Sequence, residues 1–346
     1  MSGRSGGEGF NVAVVGATGL VGETMIEVVE ERDFPVRRLF ALASERSLGK
    51  SVTFRGARHA VEDLAQFDFS QADIGLFSPG AEVSRVYAPK AAAAGCVVID
   101  NTSEFRYLED VPLVVPEVNP AAIAQYTHRG IIANPNCSTI QMLVVLKPIH
   151  DLATIEHINV ATYQSVSGAG REAITELATQ AAALLSGQGP VEPGVIPAQI
   201  AFNCVPQIDR FEDNGYTREE MKMVWETRKI LGAPDMRVNP TAVRVPVFYG
   251  HSEAVHITTQ RKLGAAAVRE LLSRSPGVTV MDERRPGGYP TAAVEAANRD
   301  TVYVGRIRDD MSSERGLDLW IVADNVRKGA ATNSVQIAEI LARDYL

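Results

Sequence analysis

The residue best suited to chemistry is Cys137, which stands in the polar segment Asn134-Pro135-Asn136-Cys137-Ser138-Thr139. An apolar run precedes this segment, and a stretch with helical spacing, residues 140–150, follows it. The thiol should therefore lie at or just before the N-terminus of a helix, where free N–H groups and the helix dipole favour the thiolate. The same N–H groups, together with the Asn136 side chain, could stabilise an oxyanion beside the sulfur. The pattern predicts a cysteine nucleophile.

The other two cysteines are predicted to be structural. Cys96 stands in the apolar run Gly-Cys-Val-Val-Ile, and we expect both it and Cys204 to be small buried hydrophobes. Three widely spaced cysteines indicate neither a disulfide framework nor a metal cluster. We therefore expect a protein that needs no metal and that works in a reducing cytoplasm.

A second motif that could do chemistry is glycine-rich and lies at the first strand–helix junction. Glycines at such a junction permit a tight turn and let the backbone approach a pyrophosphate, which then lies at the positive N-terminus of the helix. The spacing G-x-x-G-x-x-G differs from the commoner G-x-G-x-x-G, but its position supports a dinucleotide cofactor. The predicted cofactor-binding residues of the motif are Gly16, Thr18, Gly19, Leu20, Val21 and Gly22.

The segment after the second predicted strand bears on the choice between NAD and NADP. Enzymes that use NAD usually place an acid there, about 20 residues beyond the glycines, to bind the ribose 2′-hydroxyl. Here Ser44, Arg46 and Ser47 can all donate to a 2′-phosphate, which favours NADP. Glu45 lies among them and could face the ribose instead.

The pattern of predicted strands and helices that must hold these residues changes along the chain. In the first third, near-continuous apolar strands alternate with helices, which predicts a parallel sheet covered on both faces. From about residue 155, longer strands show partial alternation and few helices separate them, which predicts a mixed or antiparallel sheet. The predicted strands are residues 10–15, 38–43, 73–77, 96–100, 155–164, 241–248 and 252–261. The predicted helices are residues 20–32, 82–94, 171–185, 218–231, 265–273 and 328–341.

These patterns predict an α/β protein of two domains, which suits a length of 346 residues. A Rossmann-type, doubly wound parallel sheet domain should comprise residues 1–136 and 325–346. An α+β catalytic and dimerisation domain with a mixed sheet should comprise residues 137–324. Since ligands often bind where domains meet, we expect the two to share one site.

Charge and hydropathy narrow the range of partners. A net charge of −8 argues against general affinity for nucleic acid or anionic lipid. No uncharged apolar run approaches the ~18 residues that cross a membrane, so we expect no membrane partner. The Gly/Ser-rich residues 1–9 contain no apolar core and are not typical of a signal peptide.

Several segments together resemble the bacterial aspartate-semialdehyde dehydrogenase family, in order from residue 10 onward. They are the glycine-rich motif, Asn-Pro-Asn-Cys-Ser-Thr, Gln164-Ser-Val-Ser-Gly-Ala-Gly170, Arg244-Val-Pro-Val-Phe-Tyr-Gly-His251-Ser and Asp324-Asn-Val-Arg-Lys-Gly-Ala-Ala331. That family reduces 4-phospho-L-aspartate to L-aspartate 4-semialdehyde and phosphate with NADPH, a step towards lysine (through diaminopimelate), threonine and methionine. The resemblance implies NADP as cofactor, these small molecules as substrates, and a homodimer.

The resemblance assigns Cys137 as the thioester nucleophile, His251 as the general acid/base and Gln164 as the residue that orients the substrate. A thioester mechanism needs one group that moves protons near neutral pH, and histidine suits this task. His251 follows Gly250 at a break between two strands, which predicts a more exposed position than a core strand would offer. His256, inside the strand, is expected to be packed or on the surface.

Further roles follow from the resemblance or from the charges of the substrate. Arg244 could hold the substrate carboxylate in a bidentate fork. The family uses the equivalents of Glu219 for the amine, and of Lys222 and Arg106 for phosphate. The Ser167-Gly168 turn and Asn325 match cofactor contacts.

Spacing alone would make Glu219 and Lys222, at i and i+3, an ordinary solvated ion pair. Glu220 has a separate structural interpretation, as the partner of Thr217 in a capping box.

Two alternatives remain at this point. N-acetyl-glutamyl-phosphate reductase shares the architecture and the thioester chemistry, but typically carries His-Pro-Gly-Cys where this chain has Asn-Pro-Asn-Cys. A non-catalytic NADP-binding homologue is the alternative from another class. The presence of Cys137, Gln164, Arg244 and His251 argues against it.

Overall fold

The computed structural model describes residues 9–346, so the expectation for residues 1–8 lies outside the described part of the chain. The described residues form seven α-helices and thirteen strands. The helices are α1 (Leu20–Glu31), α2 (Ala81–Ala93), α3 (Cys137–Ala153), α4 (Arg171–Leu185), α5 (Arg218–Leu231), α6 (Ala265–Ser273) and α7 (Thr332–Asp344). The strands are β1 (Phe10–Val15), β2 (Val36–Ala43), β3 (Ser51–Phe54), β4 (Ala57–Asp63), β5 (Ile74–Phe77), β6 (Val97–Asp100), β7 (Ile131–Ala133), β8 (Ile155–Gln164), β9 (Arg237–Arg244), β10 (His251–Thr259), β11 (Val278–Val280), β12 (Val302–Asp309) and β13 (Gly316–Ala323).

Two compact units divide the chain. The first unit is Met1–Pro135 together with Ala330–Leu346, of which residues 9–135 and 330–346 are described. The second unit is Asn136–Gly329. The chain therefore leaves the first unit once and returns to it near its last helix.

A seven-stranded sheet organises the described part of the first unit, in the order β3-β4-β2-β1-β5-β6-β7. All neighbouring pairs are parallel except β3 with β4. The strands β5 and β6 are buried along their whole length, as expected when both faces of a parallel sheet are covered. Helices α1 and α7 share one apolar core with β1, in which Met25, Val335 and Leu341 are fully buried. The predicted doubly wound sheet is confirmed.

A six-stranded sheet organises the second unit, in the order β11-β12-β13-β10-β8-β9. The pairs β8–β9 and β11–β12 are parallel and the other three are antiparallel, so the predicted mixed sheet is also confirmed. Helix α3 packs on this sheet, and every residue from Ser138 to Leu146 is buried. The first nine residues after Cys137 therefore lie in the core, and Cys137 itself is half-buried at the start of the helix.

The strand predicted at residues 241–248 is displaced towards the N-terminus. Strand β9 ends at Arg244, and residues 245–250 form a loop. Pro246 has no N–H to continue the ladder, so pairing stops just before it. The predicted helices at residues 171–185, 218–231 and 265–273 match α4, α5 and α6.

The prediction for Cys204 is wrong, whereas that for Cys96 is confirmed. Cys96 is buried, and burial raises the pKa of its thiol to about 12. Cys204 is exposed, because Ile200 and Ala201 fill the adjacent core and the chain then turns outward. The Asn203 side chain accepts a hydrogen bond from the Cys204 amide in this turn (2.9 Å).

Candidate active site

Cys137 is the first residue of α3, where the sequence places it, and its side chain is half-buried. Asn136 is the N-cap: its side-chain oxygen accepts hydrogen bonds from the amides of Ser138 (3.0 Å) and Thr139 (3.3 Å). The amide nitrogen of the Asn136 side chain donates to Glu219 (2.8 Å). Asn136 therefore caps the first turn of α3 with its side-chain oxygen, and its side-chain nitrogen links that turn to Glu219.

A second carboxylate anchors the same turn. The backbone N–H of Asn136 donates to Glu226 at 2.6 Å, and Glu226 is fully buried on α5. Glu219, Lys222 and Glu226 stand at i, i+3 and i+7 on that helix, which places them on one face. Glu226 was missed in the sequence, although this spacing is a signal that could have identified it.

Three of the predicted site residues form one row across the mixed sheet. Arg244 on β9 is paired with Gln164 on β8. Ser252 on β10 is paired with Tyr163, so the neighbouring residues, His251 and Gln164, lie next to each other in the same row. The ends of three adjacent strands thus present a guanidinium, an amide and an imidazole side by side.

His251 is fully buried, so the prediction of an exposed position is wrong. It is the first residue of β10, between β8 and β13, and the turn at residues 166–169 packs against its ring. If Gly168 carried a Cβ, this atom would lie 3.2 Å from His251 Nε2 and 2.9 Å from Arg244 Nη1. Glycine at this position allows the turn to cover both side chains.

Hydrogen bonds fix the tautomer of His251. Its Nδ1 accepts the backbone N–H of Ser165 (3.1 Å), and the Ser165 hydroxyl lies 3.1 Å away. A ring nitrogen that accepts carries no proton, so the neutral ring is protonated at Nε2. Burial, reinforced by the charge of Arg244, lowers the pKa of His251 to about 3. Within residues 9–346, Nε2 has no hydrogen-bond partner and is available to a substrate atom.

A hydroxyl–amide network holds the residue that fixes this tautomer. The Ser165 and Ser167 hydroxyls donate to Asn325 Oδ1 at 3.0 and 3.2 Å, and Gly250 N–H donates to the same oxygen at 3.0 Å. Asn325 returns a bond from Nδ2 to the Ser167 hydroxyl (3.0 Å). Ser165 was missed in the sequence, where it stands between Gln164 and the predicted Ser167-Gly168 turn.

Glu219 is the most highly connected acid of the site. Its Oε1 accepts from Asn136 and from Gln164 Nε2 (3.2 Å), and its Oε2 accepts from Lys222 Nζ (3.1 Å). Burial by itself would raise the pKa of Glu219, but Lys222, the Asn136 amide and Arg244 outweigh it and lower the pKa to about 2. The carboxylate is therefore charged at neutral pH.

Glu219 and Lys222 are not the solvated pair that spacing alone suggested. Their side chains are only 7% and 14% exposed, because α5 packs against α3 and β9. Lys222 Nζ also donates to Asp209 at 2.9 Å. Asp209 lies in a loop and no sequence pattern marks it. The capping box of Thr217 and Glu220 is present as predicted.

A hydrogen bond to the backbone holds the Arg244 side chain. Its Nη1 donates to the Ser165 carbonyl (2.8 Å). Burial lowers the pKa of Arg244, while the charges of Glu219 and of Cys137 act in the opposite direction. Arg244 is therefore within electrostatic range of Cys137. Gly329 also lies against Cys137, since a Cβ there would be 2.8 Å from the Cβ of Cys137.

The glycine-rich motif lies in the first unit, between β1 and α1. Gly16 has a positive φ of 83°, and a Cβ on Gly22 would lie 2.1 Å from the Gly16 carbonyl oxygen. Gly19 is the N-cap of α1 and no side chain caps this terminus. Leu20 and Val21 occupy the first turn, whose backbone N–H groups can therefore meet a phosphate.

The segment predicted to select NADP follows β2, the neighbour of β1 in the sheet. Ser44 and Arg46 are exposed, whereas Ser47 is buried and lies 3.1 Å from Thr18 through their hydroxyls. The two predicted cofactor segments are thus brought together.

Arg106 also lies in the first unit, and it is buried. Its Nη2 donates to the Asn101 carbonyl oxygen (2.9 Å).

Two features are absent from residues 9–346. No group of three or more His, Cys, Asp or Glu side chains there could hold a metal ion. None of the helices in this range is long and apolar enough to cross a membrane.

Matches to family models indicate the class of protein to which the chain belongs. Residues 11–126 match the family model of the semialdehyde dehydrogenase NAD binding domain, and residues 146–328 match that of the semialdehyde dehydrogenase dimerisation domain. A two-domain oxidoreductase that acts on an aldehyde is the class that these matches define.

Whole-length relatives narrow the class. Aspartate-semialdehyde dehydrogenase of Legionella pneumophila is 63% identical, over 97% of this chain and 97% of the relative. The crystal structure of aspartate semialdehyde dehydrogenase II from Vibrio cholerae, complexed with ASA, is 59% identical, with a TM-score of 0.96 over 98% of this chain and 100% of that one. A more distant structure, from Candida albicans and solved with NADP, is 26% identical, with a TM-score of 0.74 over 96% of this chain and 98% of that one. The chain belongs to the aspartate-semialdehyde dehydrogenase family.

Proposed function

We propose that the chain catalyses the NADPH-dependent reductive dephosphorylation of 4-phospho-L-aspartate to L-aspartate 4-semialdehyde through a thioester on Cys137. The observation that carries the proposal is the placement of Cys137 at the capped N-terminus of α3, where its charge acts on Arg244, in the same unit as the neutral His251. The ASA complex of the Vibrio cholerae relative supports the substrate. We place the reaction in lysine, threonine and methionine biosynthesis, and in the cytoplasm, where thiols stay reduced.

In the first step, the Cys137 thiolate bonds to the acyl carbon of the substrate, and phosphate leaves with the electrons of the broken C–O bond. The N-terminus of α3 and the Asn136 amide stabilise the charge that builds on the acyl oxygen. His251 donates a hydrogen bond from Nε2 to the same oxygen. When bound, NADPH would supply the hydride for reduction of the thioester on Cys137 to the aldehyde. The C–S bond breaks and the thiolate is restored.

Charged residues of the site are the proposed partners of the carboxylate, the amine and the phosphate of the substrate. The Arg244 guanidinium can bind the α-carboxylate as a bidentate fork. Glu219, whose pKa is lowered to about 2, presents a negative charge to the substrate amine. Gln164 donates to Glu219 and so orients the substrate through it. Lys222 and Arg106 are the proposed partners of phosphate.

Residues of the first unit fit a dinucleotide. The uncapped first turn of α1 offers backbone N–H groups to the pyrophosphate. Ser44, Arg46 and Ser47 can donate to a 2′-phosphate, and NADP in the Candida albicans structure supports this choice. Ser167, Gly168 and Asn325, which belong to the second unit, are further proposed cofactor contacts.

The decisive assay measures phosphate-dependent NADPH formation from L-aspartate 4-semialdehyde, beside N-acetyl-glutamate semialdehyde. We expect activity with the first aldehyde only, and none in Cys137→Ala, which should still fold and bind NADP. Activity with the acetylated aldehyde would favour the N-acetyl-glutamyl-phosphate reductase alternative. Inactivity of the folded wild type towards both would favour a non-catalytic homologue.

Cofactor choice has its own test. Arg46→Ala should weaken NADP binding by about 1.5–3 kcal/mol, the value of one charge-assisted contact. NAD binding should change little, and Glu45→Gln is the matched control that should leave NADP binding unchanged. Titration calorimetry with both cofactors measures this. A wild type that binds both cofactors equally would contradict the proposed role of Arg46.

We also propose that the chain forms a homodimer through the face of the mixed sheet opposite α3. A cavity of about 490 Å³ opens on this face; its lining includes the apolar residues Val247, Ala254 and Trp320 together with Arg306 and Arg308. The matched dimerisation domain supports this assembly. Sedimentation velocity should give twice the chain mass of 37.3 kDa, and a monomer at micromolar concentration would contradict it.

A further inference from the structure

Glu253 and Gln141 lie directly beneath the proposed catalytic residues, and the mechanism uses neither. Gln141 follows Cys137 by four residues on α3, so the two share a helix face. Glu253 follows His251 by two residues on β10, so the two share a sheet face. Both Gln141 and Glu253 are fully buried.

One contact already joins the helix to the strand at this level. Gln141 Nε2 donates to the backbone carbonyl of His251 at 3.4 Å. The other end of the same amide, Gln141 Oε1, accepts no hydrogen bond within residues 9–346, and both carboxyl oxygens of Glu253 are likewise without one. The buried amide oxygen of Gln141 and the buried carboxyl group of Glu253 therefore both still need a hydrogen-bond partner.

The surroundings of Glu253 offer it no positive charge along the sheet. Its neighbours on the two adjacent strands are Thr162 on β8 and Ile321 on β13. The Thr162 hydroxyl already accepts a bond from Gln164 Nε2 (3.3 Å). A carboxylate would be unstable here, whereas a neutral carboxylic acid has a proton to donate.

We propose that Glu253 is a positioning residue: with Gln141 it forms a buried hydrogen-bonded pair that fixes helix α3, which carries Cys137, against strand β10, which carries His251. The Glu253 hydroxyl donates to Gln141 Oε1 and so holds the Gln141 amide on the His251 carbonyl. Burial raises the pKa of Glu253 well above its usual range and outweighs the lowering that donation from the Gln141 amide to an ionised Glu253 would give, so the acid keeps its proton. The role of the pair in turnover rests on the proposed function, but its existence does not.

Three substitutions separate this hydrogen bond from mere packing. Glu253→Gln keeps an N–H donor for Gln141, and its kcat should stay within about twofold of the wild type. Glu253→Met keeps the volume and removes the donor, and kcat should fall about 10- to 100-fold, with KM values within about twofold, as expected when reacting groups are misplaced rather than lost. Val255→Ala, one step further along the same face, is the control: it should lower Tm without changing kcat.

Gln141→Leu should reproduce the loss seen in Glu253→Met, and the double variant should lose no more than either single variant. The proposal is overturned if Glu253→Met retains wild-type kcat, or if Glu253→Gln loses as much as Glu253→Met.

Infrared spectroscopy tests the pair without any substrate. The folded wild type should show the carbonyl stretching band of a protonated carboxylic acid, which Glu253→Gln removes and Gln141→Leu shifts. Absence of this band would show that Glu253 is ionised and would overturn the pair. If instead the band is present and shifts as expected but the wild type does not oxidise the aldehyde, the proposed function fails and the pair stands.

Discussion

His251 and Glu219 lie in the same buried network, yet their surroundings give them opposite charge states. Burial and Arg244 lower the pKa of His251 to about 3, so the ring is neutral. Lys222, Asn136 and Arg244 overcome the burial of Glu219 and lower its pKa to about 2, so the acid is charged. The contacts that each side chain makes therefore assign the proton donor and the anion, which residue type alone does not.

The lowered pKa of His251 predicts how stability depends on pH. Below pH 6.5 the unfolded chain binds a proton at this residue that the folded protein, with a pKa of about 3, does not. The free energy of unfolding should therefore fall with decreasing pH, by up to about 1.4 kcal/mol per pH unit. Glu219, ionised in the folded state down to about pH 2, adds its own loss only below about 4.5.

Between pH 6.5 and 4.5, His251→Asn should therefore lower the slope of the free energy of unfolding against pH by about 1.4 kcal/mol per pH unit, which corresponds to the uptake of about one proton. Denaturant unfolding at fixed pH values measures it. Identical slopes for the two proteins would show that the folded histidine titrates normally.

Substitution of Gly168 tests whether close packing of the turn at residues 166–169 positions Arg244 and His251. In Gly168→Ala, the new Cβ would meet Arg244 Nη1 at 2.9 Å and His251 Nε2 at 3.2 Å, so both groups must move. A shift of this size should lower kcat about 10- to 100-fold. Gly264→Ala is the matched control, because its Cβ would have no neighbour closer than 3.9 Å. Equal kcat values for the two variants would argue against a positioned imidazole.

At the scale of elements, the N-terminus of α3 depends on α5. Asn136 caps α3 with its side-chain oxygen, while α5 provides the two carboxylates that hold the side-chain amide and the backbone N–H of Asn136. The thiol is thus positioned by a contact between helices rather than by its own helix alone. Changes in α5 should reach Cys137 through this one residue.

Asn136→Asp should separate capping from this contact. Aspartate is an equally good N-cap, so α3 should keep its stability, but its second oxygen would face Glu219 and repel it. We expect both kcat and Tm to fall, the Tm through this repulsion and not through a lost cap. Asn136→Ala should instead cost about 0.5–2 kcal/mol of stability. Calorimetry and steady-state kinetics on both variants measure the two effects. Full activity in Asn136→Asp would show that the amide nitrogen is dispensable.

Local patterns predicted most elements and the position of the thiol, because caps, apolar periodicity and glycine turns are encoded over short stretches. Helix α5 and its capping box are examples. The same patterns failed for burial. His251 was expected to be exposed because a glycine precedes it, but β8, β13 and a distant turn cover it. Glu219 and Lys222 appeared solvated because their i, i+3 spacing alone is that of an ordinary surface ion pair. Only long-range packing determines these environments.

At the scale of the whole molecule, the two units carry different parts of the proposed reaction. The first unit contains the glycine-rich motif and the segment from Ser44 to Ser47, and the second contains Cys137 with its partners. Arg106 is the proposed substrate residue that belongs to the first unit. Its substitution should therefore reveal whether that unit contributes to more than cofactor binding.

Arg106→Ala should raise the KM for phosphate far more than that for NADP. It should also leave a burst of NADPH from the aldehyde, because thioester formation needs only the thiol and the cofactor, whereas release needs phosphate. Arg46→Ala serves as the contrast, with the larger effect on NADP. Rapid-mixing absorbance, with phosphate varied from zero upward, records both. Unchanged phosphate dependence, or loss of the burst together with turnover, would exclude Arg106 as the phosphate anchor.

The return of α7 to the first unit has a consequence for biosynthesis on the ribosome. Val335 and Leu341 complete the core beneath β1, yet they are synthesised long after Pro135. At about 5–20 residues per second, roughly 10 to 40 s separate these points of the chain. The second unit is continuous in sequence and complete at Gly329, so it can fold without α7, whereas part of the first unit's apolar core stays uncovered until α7 is made. A released chain truncated before α7 should therefore expose the nucleotide-binding half, and not the thiol half, to chaperones.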